Sequence, residues 1–156
     1  MGIWSNGCSR SSESMKVAIG CDHAGVGLKR GLLASVLKGY EVIDMGTDST
    51  DSVDYPDIAH RVAGAVSSGK VDQGILICGT GIGMAMAAGK TKGIRAAACT
   101  EPYSAELSRQ HNDANILCLG ARVIGTGMAE KIVEKWFSTP FDGGRHARRI
   151  NKIESL

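Results

Sequence analysis

The chain has 156 residues, a length typical of one domain with its own hydrophobic core. Hydrophobic residues make up 43% of it, which argues against a disordered chain, and the formal net charge of +2 is too small to indicate nucleic acid as the main partner. No apolar run approaches the roughly 20 residues of a membrane-spanning helix, so no membrane partner is expected.

The cysteines are not spaced like a metal site or a redox pair. There are five, Cys8, Cys21, Cys78, Cys99 and Cys118. None belongs to a C-x-x-C motif, and no combination of His and Cys has the spacing of a zinc site. An odd number of cysteines in a chain without a secretory signal is typical of free thiols in a reducing compartment. The sequence therefore predicts a cytoplasmic protein with no metal site.

Strands and helices alternate along the chain after a polar start. Residues 1–14 are rich in Ser, Gly and Asn, which predicts a disordered leader before a single domain over residues 15–156. Short apolar runs predict strands at 17–21, 41–44, 74–78, 94–99 and 115–119. Helical spacing of apolar residues predicts helices around 28–36, 58–66, 84–90, 103–110 and 128–136. This order predicts an α/β fold, a Rossmann-like three-layer sandwich with a five-stranded parallel sheet.

Polar residues and glycines follow several of the predicted strands. Ligands of a parallel sheet bind at the carboxyl ends of its strands. This rule gathers at one edge Asp22 and His23 and the segments 78–83, 99–101 and 120–122.

The segment Cys78-Gly79-Thr80-Gly81-Ile82-Gly83 contains the strongest chemical signal. It matches neither the G-x-G-x-x-G dinucleotide fingerprint nor a Walker loop. A strand that ends on such a turn before a helix presents several backbone N–H groups to an anion. It also places the Cys78 thiol at a helix N-terminus, where a thiolate is stabilised. The alternative is an inert buried cysteine beside a tight turn.

Two other groups of residues have both a functional and an ordinary interpretation. His23 follows a strand at the expected ligand edge, and His111 lies in the polar link 108–115, which is also compatible with a solvated loop. Arg145 and Arg149 are four residues apart, so on a helix they share a face suited to a phosphate. From these residues alone a solvated basic tail is the favoured interpretation.

Taken together, seven motifs resemble the ribose-5-phosphate isomerase B family, which includes the galactose-6-phosphate isomerase subunits. They are Gly20-Cys21-Asp22-His23-Ala24-Gly25, Asp54-Tyr55-Pro56, the turn 78–83, Glu101-Pro102-Tyr103-Ser104-Ala105, residues 108–115, Gly120-Ala121-Arg122 and Gly143-Gly144-Arg145-His146. The resemblance runs in order from Met15 to about Ile153. It implies an aldose–ketose isomerase that needs no metal or cofactor. It also implies a homodimer or homotetramer, with active sites at the dimer interface and the C-terminal tail packed on a dimer partner.

The resemblance also implies roles for individual residues. Cys78 matches the base that moves a proton between C1 and C2, and His111, from the other subunit, matches the residue that opens the sugar ring. The remaining matches are sugar and phosphate contacts at Asp22 and His23, phosphate ligands at Arg122, Arg145 and Arg149, and pocket-lining positions at Tyr55 and Asn112. The chemistry agrees, because a thiolate is a fitting base and the N–H groups of Gly79 to Gly83 with the Thr80 hydroxyl suit the oxyanion of a cis-enediolate.

Ribose 5-phosphate, interconverted with ribulose 5-phosphate, is the expected substrate. One chain has Cys78, His111 and both tail arginines, whereas the galactose enzymes of this family pair two unlike chains. A six-carbon aldose phosphate, allose or galactose 6-phosphate, is the alternative sugar. A non-catalytic phosphate-binding module and a thiol redox protein using Cys78 are the alternatives of other classes.

Overall fold

The computed structural model describes residues 15–156, so the leader predicted for residues 1–14 lies outside the described residues. Within the described residues, five strands are formed: β1 (Lys16–Cys21), β2 (Glu41–Asp44), β3 (Gln73–Cys78), β4 (Ala96–Ala98) and β5 (Ile116–Gly120). Six α-helices accompany them: α1 (Val26–Ala34), α2 (Tyr55–Ser67), α3 (Ile82–Ala88), α4 (Pro102–Gln110), α5 (Thr126–Ser138) and α6 (Arg145–Glu154). A short 3₁₀ turn, His23–Gly25, links β1 to α1.

All strand pairs are parallel, and the sheet order is β2-β1-β3-β5-β4. The predicted α/β class and the five-stranded parallel sheet are therefore confirmed. From β1 the chain crosses to β2 on one side of the sheet, and from β3 it crosses to β4 on the other side. A crevice consequently opens between the carboxyl ends of β1 and β3, where ligands of doubly wound sheets bind.

Helices cover both faces of the sheet. One hydrophobic cluster joins β1, β3 and β5 to α1, α4 and α5, with Trp136 fully buried in it, and the other joins the opposite face to α2 and α3. The central strands are almost wholly buried, as strands covered on both faces must be. The fourth strand was predicted over 94–99, but only Ala96–Ala98 pairs, at the edge beside β5.

One buried charge holds the segment that follows β2. The Lys29 side chain on α1 is fully buried, and its Nζ lies 2.7 Å from the Thr47 carbonyl oxygen and 2.7 Å from Asp48 Oδ1. Asp44 Oδ2 lies 2.9 Å away. A buried ammonium is tolerated only when its protons are satisfied in this way. Lys29 thus fixes the start of the loop that leads to Tyr55 and α2.

We expect Lys29→Ala to lower the free energy of unfolding by about 2–4 kcal/mol, because it removes a long buried side chain and leaves the Thr47 carbonyl with only the weak Cys21 S–H donor. Urea unfolding measures this change. The control is Lys38, an exposed lysine between α1 and β2. Lys38→Ala should shift the free energy of unfolding by less than about 0.5 kcal/mol. Equal effects of the two substitutions would contradict the anchoring role of Lys29.

Candidate active site

Cys78 ends β3 with a buried thiol that accepts a hydrogen bond. The N–H of Gly81 is donated to Cys78 Sγ at 3.1 Å. Gly81 reaches back to the sulfur because its φ is +81°, a conformation that favours glycine. A Cβ at Gly81 would also lie 3.0 Å from the backbone of Leu119. The turn therefore needs glycine here, and it gives the sulfur a donor that stabilises negative charge.

The other buried thiols have different surroundings. Burial raises the pKa of Cys21 to about 11, and burial raises the pKa of Cys99 to about 11. Burial, followed by the neighbouring Cys78, also raises the pKa of Cys118. Cys21 donates its S–H to the Thr47 carbonyl, whereas Cys78 accepts from a backbone N–H. These three thiols are therefore protonated at neutral pH, and Cys78 differs from Cys21 in the direction of its hydrogen bond.

The turn after Cys78 packs closely on the end of β5. A Cβ at Gly120 would lie 2.7 Å from the Thr80 backbone, so only glycine permits this approach. Thr80 is exposed, and its Oγ1 accepts the N–H of Ile82 at 3.2 Å. That bond uses a lone pair and leaves the hydroxyl proton of Thr80 available for donation.

Asp22 and His23 lie at the same edge of the sheet. The buried Asp22 donates its N–H to the Ile77 carbonyl at 3.1 Å, next to Cys78, and its Oδ1 accepts the N–H of Ala24 at 2.9 Å. His23 Nδ1 accepts the N–H of Val53 at 3.3 Å. A neutral His23 therefore carries its proton on Nε2. The Val53 contact joins the loop anchored by Lys29 to this edge.

Tyr55 and Arg122 flank the glycine turn. The Tyr55 ring covers Gly83, where a Cβ would lie 2.7 Å from the ring carbon Cζ. The Arg122 side chain covers Gly79, where a Cβ would lie 3.3 Å from Nη1, and the Arg122 N–H is donated to the Gly79 carbonyl at 3.0 Å. Nine of the residues predicted from the sequence therefore lie together at the carboxyl ends of the strands: Asp22, His23, Tyr55, Cys78, Gly79, Thr80, Gly81, Gly83 and Arg122.

His111 and Asn112 lie at the other end of the strands, beside the amino end of β5. They follow the end of α4 and precede β5, whose first residue, Ile116, pairs with Gly74, whereas its last residue pairs with Cys78. The two ends of this pairing are separated by four residues of strand, roughly 13 Å. Within one chain, His111 is thus at the far end of the sheet from Cys78.

The link that contains His111 is held in place by hydrogen bonds from two arginine side chains. Arg95 donates to the carbonyl oxygens of Asn112 and Asp113, each at 2.9 Å. Arg109 donates to Asp113 Oδ1 at 2.8 Å and to the Ala114 carbonyl at 2.7 Å. Two guanidinium groups therefore hold the backbone beside His111.

Helix α6 packs beside this link and carries the two tail arginines. The His111 and His146 rings are stacked, with centroids 4.2 Å apart and planes 10° apart. At the other end of α6, Glu154 pairs with Arg95 at 2.6 Å. Because both ends of α6 contact the end of the sheet that holds His111, the exposed Arg145 and Arg149 lie at that end and not at the end with Cys78.

Sequence analysis gave no role to Asp142 or His146, although His146 lies in the Gly143-Gly144-Arg145-His146 motif. The donor atoms of His111, Asp142 and His146 all lie within 4.8 Å of one another. These are side chains that could hold a metal ion. Among residues 15–156, no helix is both long enough and apolar enough to span a bilayer.

Comparison with known proteins gives consistent matches. A family model described as ribose/galactose isomerase matches residues 17–153. Ribose-5-phosphate isomerase B of Escherichia coli is 52% identical over 142 residues, which are 90% of this chain and 95% of that protein. D-erythrulose-4-phosphate isomerase of Pectobacterium atrosepticum is 43% identical over 141 residues, 89% of this chain and 93% of that protein. The structure of Clostridium thermocellum ribose-5-phosphate isomerase B superposes with a TM-score of 0.88 at 56% identity, covering 90% of this chain and 95% of that one.

Proposed function

Because the chain belongs to the ribose/galactose isomerase family, we propose that it interconverts ribose 5-phosphate and ribulose 5-phosphate with Cys78 as the base. The observation that carries this proposal is the Cys78 sulfur, which is buried at the ligand edge of the sheet and accepts the Gly81 N–H. A thiolate held in this way is positioned to take a proton from the carbon next to a carbonyl.

The reaction moves one proton from C2 to C1, a second proton between their two oxygens, and the carbonyl group from C1 to C2. The Cys78 thiolate takes the C2 proton of the open-chain aldose, and the electron pair of that C–H bond forms the double bond of a cis-enediolate. The C1 carbonyl pair moves onto its oxygen at the same time. The proton of the C2 hydroxyl then passes to the C1 oxygen, the C2–O bond becomes the new carbonyl, and the thiol returns its proton to C1, which yields the ketose. No oxidant or reductant is consumed.

Backbone donors of the glycine turn stabilise the enediolate oxygen. The Gly81 N–H is already donated to Cys78 Sγ and the Ile82 N–H to Thr80 Oγ1. The oxyanion hole is therefore assigned to the N–H groups of Gly79, Thr80 and Gly83 with the Thr80 hydroxyl. One such donor typically lowers the barrier by roughly 3 kcal/mol.

A complete site needs two chains in this proposal. His111, Asn112, Arg145 and Arg149 lie at the edge opposite Cys78, so one chain does not supply both sets of residues to one sugar. A homodimer, alone or paired into a homotetramer, places His111 of the partner subunit beside Cys78, with the partner's α6 packed across the boundary. Its imidazole then opens the sugar ring, and the partner's Asn112 lines the pocket.

The phosphate and the sugar hydroxyls are assigned to the remaining polar groups. Arg122 at the Cys78 edge and the partner's Arg145 and Arg149 provide guanidinium groups suited to phosphate. His23 Nε2–H and the Asp22 carboxylate face the sugar in this assignment, and Tyr55 closes one side of the pocket. We infer a cytoplasmic location, which the free thiols of Cys21, Cys78, Cys99 and Cys118 support, since free thiols are typical of a reducing compartment.

A substrate panel tests the proposal. The specificity constant kcat/KM is measured on one preparation for four sugars: ribose 5-phosphate, allose 6-phosphate, galactose 6-phosphate and D-erythrulose 4-phosphate. The four-carbon sugar is included because the Pectobacterium relative is named for it. We expect the highest kcat/KM for ribose 5-phosphate. If another sugar gives the highest kcat/KM, that sugar replaces ribose 5-phosphate as the assigned substrate. If no sugar is turned over, a phosphate-binding module is favoured.

We expect Arg145→Ala and Arg149→Ala each to lower kcat/KM for ribose 5-phosphate roughly 10- to 100-fold, mainly through KM, because each removes a charged hydrogen bond to phosphate. Turnover of unphosphorylated ribose, already poor, should hardly change. Lys131→Ala, an exposed change on α5, is the control for lost positive charge. Equal losses on both sugars would argue against phosphate binding by these arginines.

A further inference from the structure

We propose that His111, Asp142 and His146 bind one Zn²⁺ ion, and that the bound ion inhibits the enzyme by occupying His111. The inhibition rests on the proposed function, because it requires His111 to act on the sugar ring. The binding itself does not depend on that function. Zn²⁺ would therefore act at this cluster as an inhibitor and not as a cofactor.

The three side chains come from segments that the fold holds together. His111 caps the end of α4, and the nearby Gln110 carbonyl accepts the N–H of Asp142 at 3.0 Å. Gly143 and Gly144 then turn the chain with φ values of +69° and +58°, so that α6 begins directly afterward. This turn returns His146 onto the His111 ring. The donor atoms of the three residues consequently meet, all within 4.8 Å.

Two imidazoles and one carboxylate are a donor set that Zn²⁺ uses when it keeps a fourth position for water. Zinc bonds of about 2.0–2.2 Å require the donor atoms to move closer than they are in this structure. The ring planes are only 10° apart, so the nitrogen lone pairs lie in nearly parallel planes and metal binding requires the rings to splay apart. Asp142 is exposed and precedes two glycines, and His111 is only half-buried, which allows that adjustment.

Charge acts in both directions at this cluster. The Asp142 carboxylate attracts a divalent cation, whereas Arg145 and Arg149 on the adjoining helix repel it. Free phosphate bound to these arginines would reduce the repulsion, whereas a phosphorylated sugar would also compete for His111. Asp142 therefore contributes the attraction that offsets the arginines, and its loss should weaken binding strongly.

Binding is measured on the full chain by calorimetry with Zn²⁺ and by visible absorption with Co²⁺, which reports four-coordination by its intensity. We expect one ion per chain. Asp142→Asn and His146→Gln should each weaken the affinity roughly tenfold or more, equivalent to about 1.4 kcal/mol or more. His60→Gln, an exposed histidine on α2, and Cys78→Ser should leave it unchanged. Unaltered affinity in both Asp142→Asn and His146→Gln, or affinity lost in Cys78→Ser, would overturn the site.

Inhibition is measured separately as the Zn²⁺ concentration that halves isomerase activity. We expect Asp142→Asn to need about tenfold more Zn²⁺ than the unaltered chain, in parallel with its weaker binding. Tight binding at the cluster without inhibition would overturn the inhibitory role and keep the site. An inactive protein that still binds Co²⁺ through Asp142 and His146 would instead reject the proposed function and leave the metal site standing.

Discussion

Cys78→Ala is expected to lower kcat for ribose 5-phosphate by about 10²–10⁴-fold, the contribution typical of a positioned general base. The side chain is small and lies at the end of β3, so the fold should survive the change and the thermal midpoint should change little. Cys78→Ser tests the base more finely, because a hydroxyl keeps the size of the group but is far less acidic than a thiol. It should be nearly as inactive as Cys78→Ala.

Cys99→Ser is the matched control for this prediction. Cys99 is also buried near the carboxyl edge of the sheet, but burial raises the pKa of its thiol to about 11, so it supplies no thiolate at neutral pH. This variant should keep most of the activity. An alkylating reagent should inactivate the unaltered protein at Cys78, with inorganic phosphate giving protection. Activity of Cys78→Ala within a factor of ten of the unaltered protein would remove Cys78 as the base.

Mixing two inactive variants should restore activity. Cys78→Ala and His111→Asn each disable every site of their own homodimers. If a site combines Cys78 of one chain with His111 of the partner subunit, a mixed dimer contains one intact site and one doubly altered site. Statistical exchange should therefore return about a quarter of the unaltered activity, because half of the dimers are mixed and each has one working site of two.

The expected recovery follows from the opposite placement of the two residues along β3 and β5. A mixture of Cys78→Ala with Cys78→Ser is the control, since no combination of these chains yields an intact site. His111→Asn should also reduce turnover of the cyclic sugar far more than that of an open-chain analogue. If verified subunit exchange gives no recovery, Cys78 and His111 do not act together across a subunit boundary.

The local sequence was sufficient to predict five strands and the first five helices, but it left residues 139–156 as a tail and missed helix α6. Short apolar runs predicted all five strands, because a strand depends on a short-range pattern. Their alternation with segments of helical spacing predicted the parallel sheet. The glycines after Cys78 were predicted to form a tight turn into a helix. Gly81 and Gly120 confirm it, since their positions leave no space for a side chain.

The tertiary structure alone decided which residues meet. Spacing along the chain did not reveal that the Cys78 sulfur accepts the Gly81 N–H, that Lys29 is buried on three oxygens, or that His146 stacks on His111. Each of these contacts depends on how segments distant in sequence pack, or on the exact path of a turn. The residue types predicted the chemistry, whereas the parallel crossover through α4 to β5 places His111 at the opposite end of the strands from Cys78. A helix that follows one strand must run back along the sheet before the next parallel strand begins, and this return path separates the two residues.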